Sequence, residues 1–385
     1  MKSIKEIGNI SGKRILVRVD FNVPMKPARP HEGSGAGGDG KIIDDFRIRK
    51  SLPTIDYLHK KGAIIILLSH LGEDGKESLA PVALRLKKYI PKVNFIKTAI
   101  FSDETEKIIS DLKKGDIILL ENLRREPVEK NNSPSFARAL SRYGEIYVNE
   151  AFSVSHRVHA SIVGITKYLP GFAGLQFMEE IKNLSRAFDP EHPFLFILGG
   201  AKFETKIPLI KKFLRDADFV FVSGALANDF FKAKGYEVGV SLVDNANFQI
   251  ASLLKRKNLL LPIDAEVIKG SKRRFVEPNK VDKDENIVDV GPRTVEMLKG
   301  LIEKSKFILW NGPLGKYESG FGGATEQVLK MVSKSKAYSI IGGGDTVALV
   351  SKLKLENNFG FVSTGGGATL DFLAKGTLPG IKALK

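Results

Sequence analysis

At 385 residues the chain is long for one hydrophobic core and suits two domains of roughly 150–200 residues each. Hydrophobic residues make up 43% and charged residues 27%, which excludes a disordered chain; the lack of cysteine excludes disulfides and thiolate chemistry and agrees with a reducing compartment. A formal net charge of +16 attracts polyanions of any kind, whether nucleic acid, acidic membrane or phosphorylated metabolite, without choosing among them.

The N-terminal MKSIKEIGNI lacks the apolar core of a secretory signal, and no apolar run approaches the roughly 18 residues of a membrane span. A soluble, cytoplasmic protein is expected. In chain order, apolar β-rich runs are predicted as strands at 14–19, 63–69, 116–121, 145–150, 194–199, 218–223, 258–262, 306–311, 338–343 and 360–364. Between them TIDYLHKKG, SFARALSRYG, IPLIKKFL, TVEMLKGLIEKS and TEQVLKMVSKS carry apolar residues at helical spacing, several closing on glycine. That alternation predicts an α/β fold with parallel sheets covered by helices. Residues 27–40, PARPHEGSGAGGDG, lack apolar anchors and are expected to form a surface loop. Around Pro170–Pro190 the rhythm pauses in one long segment of helical pattern, expected to be a hinge helix between two halves. The expected organisation is a first domain at 1–170, a connecting helix at 171–190, a second domain at 191–370, and a tail at 371–385 returning to the first domain.

In open parallel sheets ligands bind beyond the carboxyl ends of the strands. Residues there in the N-terminal half are Asp20 and Asn22, Ser69 and His70, Asn122 and Arg124, then Asn149, Glu150, His156, Arg157 and His159. Guanidinium groups suit a compact anion, because their planar fork pairs with carboxylate or phosphate oxygens. In the C-terminal half the strand ends read GGAK, WNGPLGKYE, GGGDT and TGGGAT. Glycines let backbone N–H groups approach a polyphosphate and leave a helix N-terminus open to it. One half is therefore predicted to bind a small acid and the other a nucleotide, with Asp345 a candidate ligand for Mg²⁺ riding on the phosphates and Thr346 at a helix start.

Plainer readings stand beside these. A Gly-Gly pair after a strand also marks an ordinary tight turn, and it is the recurrence at successive strand ends that points to a ligand. HRVH offers two histidines but no third ligand nearby, so zinc is not supported. Trp310 reads as packing. Asp20 and His70, taken singly, also fit a turn cap and a buried core histidine.

The segments RVDFNVP, DDFRIRKSLPTI, LLSHLG, LLENLR, NEAFSVSHRVHAS, ILGGAKFETKI, LWNGPLGKYE, IIGGGDT and VSTGGGATLDFL occur in this order between residues 18 and 373. Together they closely resemble the signature segments of the phosphoglycerate kinase family. The resemblance implies two Rossmann-like three-layer domains with parallel sheets joined by a hinge helix, closing on substrates. It implies reversible, Mg²⁺-dependent phosphoryl transfer between 1,3-bisphosphoglycerate with ADP and 3-phosphoglycerate with ATP, by a monomer in glycolysis. Asp20, Asn22, Arg47, His70, Arg124 and Arg157 would hold the phosphoglycerate. Gly200, Ala201, Lys202, Lys206, Asn311, Pro313, Glu318, Gly343, Gly344, Asp345, Thr346, Gly365 and Gly366 would hold the nucleotide, with Glu318 at the ribose, Asp345 at the metal, and Arg47 and Lys206 catalytic.

The chain departs from the family wording in places. Glu73 stands where an arginine is usual, with Lys76 a candidate replacement, and the 27–40 loop is longer than usual. Two other classes fit the sequence less well. A nicotinamide dehydrogenase needs a G-x-G-x-x-G turn after an early strand, which RVDFNVP does not supply. A nucleic-acid binder needs a known module or a basic face with stacking aromatics, and neither is evident.

Overall fold

Runs such as Ile64–Leu68 and Phe194–Leu198 are buried along their whole length, as strands must be when helices cover both faces of a sheet. The computed structural model describes residues 1–26, 41–201, 203–244 and 250–385; the predicted loop at 27–40 and Lys202 lie outside the described residues. The chain divides into two units, residues 1–182 with 375–385, and residues 183–374.

The first unit is built on a six-stranded sheet in the order Asn94–Phe95, Ile117–Leu119, Ile64–Leu68, Arg14–Arg18, Ile146–Asn149, Gly171–Ala173, all neighbours parallel. Its register sets Arg18 beside both Leu68 and Asn149. The turns after these strands therefore leave the sheet along one edge, which brings residues 19–22, 69–72 and 150–157 together. Ile15, Val17, Ile65, Leu67 and Val148 fill the core against Ile48, Ile55 and Leu58 of the helix Phe46–Lys60. Each such side chain, fully withdrawn from water, contributes about 2 kcal/mol of burial free energy.

The second unit repeats the plan in the order Leu259–Leu260, Phe219–Val222, Phe194–Leu198, Phe307–Asn311, Tyr338–Gly342, Phe361–Val362, again parallel throughout. Leu198 lies beside both Val222 and Asn311, and Asn311 beside Gly342, so the glycine turns also leave along one edge. The core is aromatic: Phe194 meets Phe213 and Phe307 edge-on at 5.6 and 5.1 Å, and Phe196 lies 4.3 Å from Phe213.

Two features differ from expectation. The segment after Pro170 opens with the strand Gly171–Ala173, paired to Ile146–Asn149, and becomes helical only over Leu175–Ser185, because an open sheet edge satisfies its backbone groups as well as a helix does. The second unit also carries an antiparallel three-stranded sheet, Lys272–Val276, Ala265–Lys269 and Asn286–Val290. Its edge strand reads KRRFV with four exposed residues, so it showed no apolar run.

Candidate active site

In the first unit the turn after Arg14–Arg18 folds on Asp20. Its carboxylate accepts from Asn22 N at 3.1 Å, from the Ser153 hydroxyl and from Arg47 Nη1 at 2.7 Å; the same nitrogen donates to Asn22 O at 3.1 Å. Burial pushes the Asp20 carboxyl up, but Arg47, then His70, then the hydrogen bonds outweigh it, and the net direction is below the usual carboxylate value. Asn22 Oδ1 accepts from Gly72 N at 3.0 Å, tying the first turn to the one that carries His70. The Arg124 guanidinium closes the same ring by donating to Gly72 O. Burial, then Arg18 and Arg157, lowers the Arg124 value.

Two of the three histidines of this edge are buried, His70 at 2% and His159 at 6% exposed, while His156 is half-buried. Burial first, then Arg18, Arg124, Arg157 and Lys130, drives His159 down to about 4. Arg157 itself is exposed. The turns and the start of the helix Phe46–Lys60 thus gather Asp20, Asn22, Arg47, His70 and Arg124 with Arg157 at the rim, in a strongly cationic setting. Three other strand-end residues serve the fold. Asn122 uses Oδ1 to accept from Leu71 N and Arg124 N and Nδ2 to donate to Leu71 O and Glu77 O. Asn149 holds Ala151 N and Ser155 Oγ. Glu150 accepts from Thr54 Oγ1, Gln176 N and Phe177 N. Glu73 is exposed, and Lys76 pairs with Asp74 at 2.9 Å, its side chain 84% exposed.

In the second unit two backbone turns face each other. Gly200, at φ +84°, donates its N–H to Pro313 O at 3.0 Å, and Gly224 N donates to Leu314 O at 3.0 Å. A Cβ on Gly199 would sit 2.0 Å from Pro313 O, so the approach requires glycine there. Above these turns is a cavity of about 240 Å³ whose lining includes Gly200, Ala201, Pro313, Glu318 and Asp345, with an apolar wall from Phe231, Leu242 and Ile287. Lys206 is 8% exposed and donates from Nζ to Gly199 O at 2.6 Å. Gly343, at φ +92°, precedes the helix Gly344–Lys352. Asn311 Nδ2 and Thr346 Oγ1 at that edge are buried with no hydrogen-bond partner among the described residues. Gly365 and Gly366 open the helix Gly367–Lys375 and are not in the cavity lining. Among the described residues no group of three or more His, Cys, Asp or Glu is placed to hold a metal.

Two site features escaped the sequence reading. Arg18 is buried within the first strand, where it reads as part of an apolar run. Asp289 lines the nucleotide-side cavity, accepting from Val290 N at 2.9 Å and Ala324 N at 3.1 Å; burial, against those two hydrogen bonds, pushes it up to about 6.

The family model described as phosphoglycerate kinase matches residues 4–376. The chain belongs to the phosphoglycerate kinase family. It is 41% identical to the phosphoglycerate kinase of Dictyoglomus turgidum, over 98% of this chain and 96% of the relative, and 41% identical to that of Thermus thermophilus, over 97% of each. Among solved structures it is similar to phosphoglycerate kinase from Coxiella burnetii, with a TM-score of 0.80 at 36% identity over 99% and 98% of the two chains. It is also similar to the enzyme from Pyrococcus horikoshii, with a TM-score of 0.85 at 31% identity over 100% and 98%. Family membership removes the dehydrogenase reading and agrees with the two parallel α/β sheets. No helix among the described residues is long and apolar enough to cross a membrane.

Proposed function

We propose that the two strand-end clusters are the half-sites of a phosphoglycerate kinase reaction. The reaction is reversible phosphoryl transfer between the acyl phosphate of 1,3-bisphosphoglycerate and ADP, giving 3-phosphoglycerate and ATP in glycolysis. What carries this reading is the segregation of chemistry. One sheet edge collects the guanidinium groups of Arg47, Arg124 and Arg157, and the other sets close glycine turns and the N-terminus of the helix Gly344–Lys352 beside a cavity.

Asp20, by fixing Arg47 at 2.7 Å, aims that guanidinium, while Asn22, His70, Arg124 and Arg157 grip the carboxylate and phosphate of the three-carbon acid. On the nucleotide side Gly200, Ala201 and Pro313 shape the cavity and Glu318 meets the ribose. Gly343, Gly344 and Thr346 offer a helix N-terminus to the phosphates, as Gly365 and Gly366 do for a second helix; Asn311 Nδ2 is a buried donor at the same edge. Lys202 is assigned to the phosphates from the family motif alone. Asp345 fits Mg²⁺: it is a hard oxygen donor, partly exposed at a helix start, and such an ion takes one or two carboxylates and fills its other positions with phosphate oxygens and water. When bound, the ion neutralises charge on the phosphate oxygens. The protein's part is positional. It must hold donor and acceptor oxygens in line, exclude water, and place Lys206 and Arg47 against the equatorial oxygens of a loose transition state. Because acceptor and donor bind to different units, turnover requires closure that brings them together. A cytoplasmic monomer agrees with this reading, since the half-sites use residues of one chain and small soluble substrates.

The test is a coupled assay of ATP-dependent conversion of 3-phosphoglycerate, with and without Mg²⁺. In the same assay Lys206→Ala is expected to keep nucleotide affinity within about threefold and to lower kcat by about a hundredfold or more. An unchanged kcat removes Lys206 from the transfer step.

A further inference from the structure

Arg18 ends the first strand with 1% of its surface exposed, an expensive place for a permanent positive charge. Its guanidinium is held on three sides. Nε donates to Ser161 Oγ at 3.0 Å, Nη1 to Val19 O at 2.5 Å, and Nη2 lies 3.1 Å from His70 Nδ1. Ser161 passes the interaction on, its Oγ donating to Glu129 Oε1 at 2.5 Å and its N–H to Oε2 at 2.9 Å. A buried carboxylate thus balances the buried guanidinium across one hydroxyl. Guanidinium nitrogens only donate, and the group keeps its charge. The contact at His70 therefore requires a lone pair on Nδ1, which leaves the single ring proton on Nε2.

We propose that Arg18 is a positioning residue for His70: through Nη2 it locks the imidazole as the neutral tautomer protonated at Nε2, so that the ring presents an N–H donor to an oxyanion of the bound glycerate. The inference rests on the reading above that His70 touches the glycerate. The charged groups around the ring are Arg18 and Asp20 at the end of its neighbouring strand, Arg47 from the helix Phe46–Lys60 and Arg124 from the turn after Ile117–Leu119. Burial first, then Arg18, holds the imidazole well below its ordinary value; Arg124 and Arg47 add to this and Asp20 opposes it. An imidazolium here would stand among three guanidinium groups, whereas the neutral ring donates without adding charge. The lock keeps that donor unchanged across the neutral pH range.

Long-range proton–nitrogen correlation spectra of the ¹⁵N-labelled full chain decide the point. The chain has six histidines, and the His70 signals are those lost in His70→Gln. The expected result is an Nε2–H tautomer with no titration between about pH 5.5 and 8; an Nδ1–H tautomer, or an ordinary imidazole titration, overturns the proposal. In Arg18→Met the His70 signals are expected to change tautomer balance and to titrate, with KM for 3-phosphoglycerate raised about tenfold and KM for nucleotide unchanged. Unaltered His70 signals in folded Arg18→Met overturn the lock. Where that variant does not fold, the spectrum of the unsubstituted chain decides alone. An Nε2–H tautomer together with an unchanged 3-phosphoglycerate KM in His70→Gln overturns the substrate contact and leaves the lock standing, so the two failures are told apart.

Discussion

Buried imidazoles set how this chain answers to acid. His159 is driven from 6.5 to about 4, chiefly by burial and then by nearby guanidinium groups, and His70 is lowered in the same direction. Between those folded values and the ordinary one the unfolded chain binds more protons than the folded chain. The stability these neutral rings contribute is therefore complete above about pH 6.5 and is lost as the pH falls towards 4. Thermal denaturation followed by circular dichroism is expected to show Tm dropping from pH 7 to pH 5, and dropping less in His159→Gln; equal slopes in the two proteins would show that His159 is not held neutral. Single residues differed in how legible they were. Asp20, His70 and Arg124 could be placed at the sheet edge because each lies within three residues of the end of an apolar run. Asn122, Asn149 and Glu150 occupy the same kind of position, and nothing in the sequence shows that their polar atoms are taken up by neighbouring backbone groups and hydroxyls. Arg18 was hidden for the opposite reason, since a charge inside RILVRV is costly unless Ser161 and Glu129, 143 and 111 residues later in the chain, come to meet it.

Elements matter here chiefly through backbone approach. The turn at Gly199–Gly200 lies against Gly312–Pro313, and a Cβ at Gly199 would meet Pro313 O at 2.0 Å. Gly199→Ala must part the two turns, and a loss of about 1–3 kcal/mol is expected in denaturant titration, together with weaker nucleotide binding. Gly344→Ala, where nothing among the described residues lies within 4 Å of the added methyl, is expected to leave stability within about 0.5 kcal/mol. Similar losses in both would mean that close approach is not the reason for Gly199. Most strands of both parallel sheets were legible, because strands buried on both faces read as unbroken apolar runs. Helix starts were less so. Phe46–Lys60 runs through Pro53, whereas the spacing suggested a start at Thr54, and the exposed antiparallel strand KRRFV had no apolar signal at all.

For the whole molecule the proposal is a division of labour between the two units, in which residues 1–182 with 375–385 would hold the acid and residues 183–374 the nucleotide. Net charge of +16 favours both anionic substrates, so KM for each is expected to rise with salt in steady-state assays; salt-independent KM values would confine the attraction to contacts buried from the solvent. The sequence showed the two chemistries but not the contacts that hold each cluster in place, which depend on turns converging from distant parts of the chain. Two partly or fully exposed side chains separate the half-sites without disturbing a core, Arg157 and Asp345. The decisive measurement is calorimetric titration of 3-phosphoglycerate and of MgADP into Arg157→Met and Asp345→Asn. The expected result is a double dissociation: Arg157→Met weakens 3-phosphoglycerate about tenfold and leaves MgADP within about twofold, and Asp345→Asn does the reverse. A variant that weakens both ligands alike, or the opposite ligand, contradicts the assignment of one substrate to each unit.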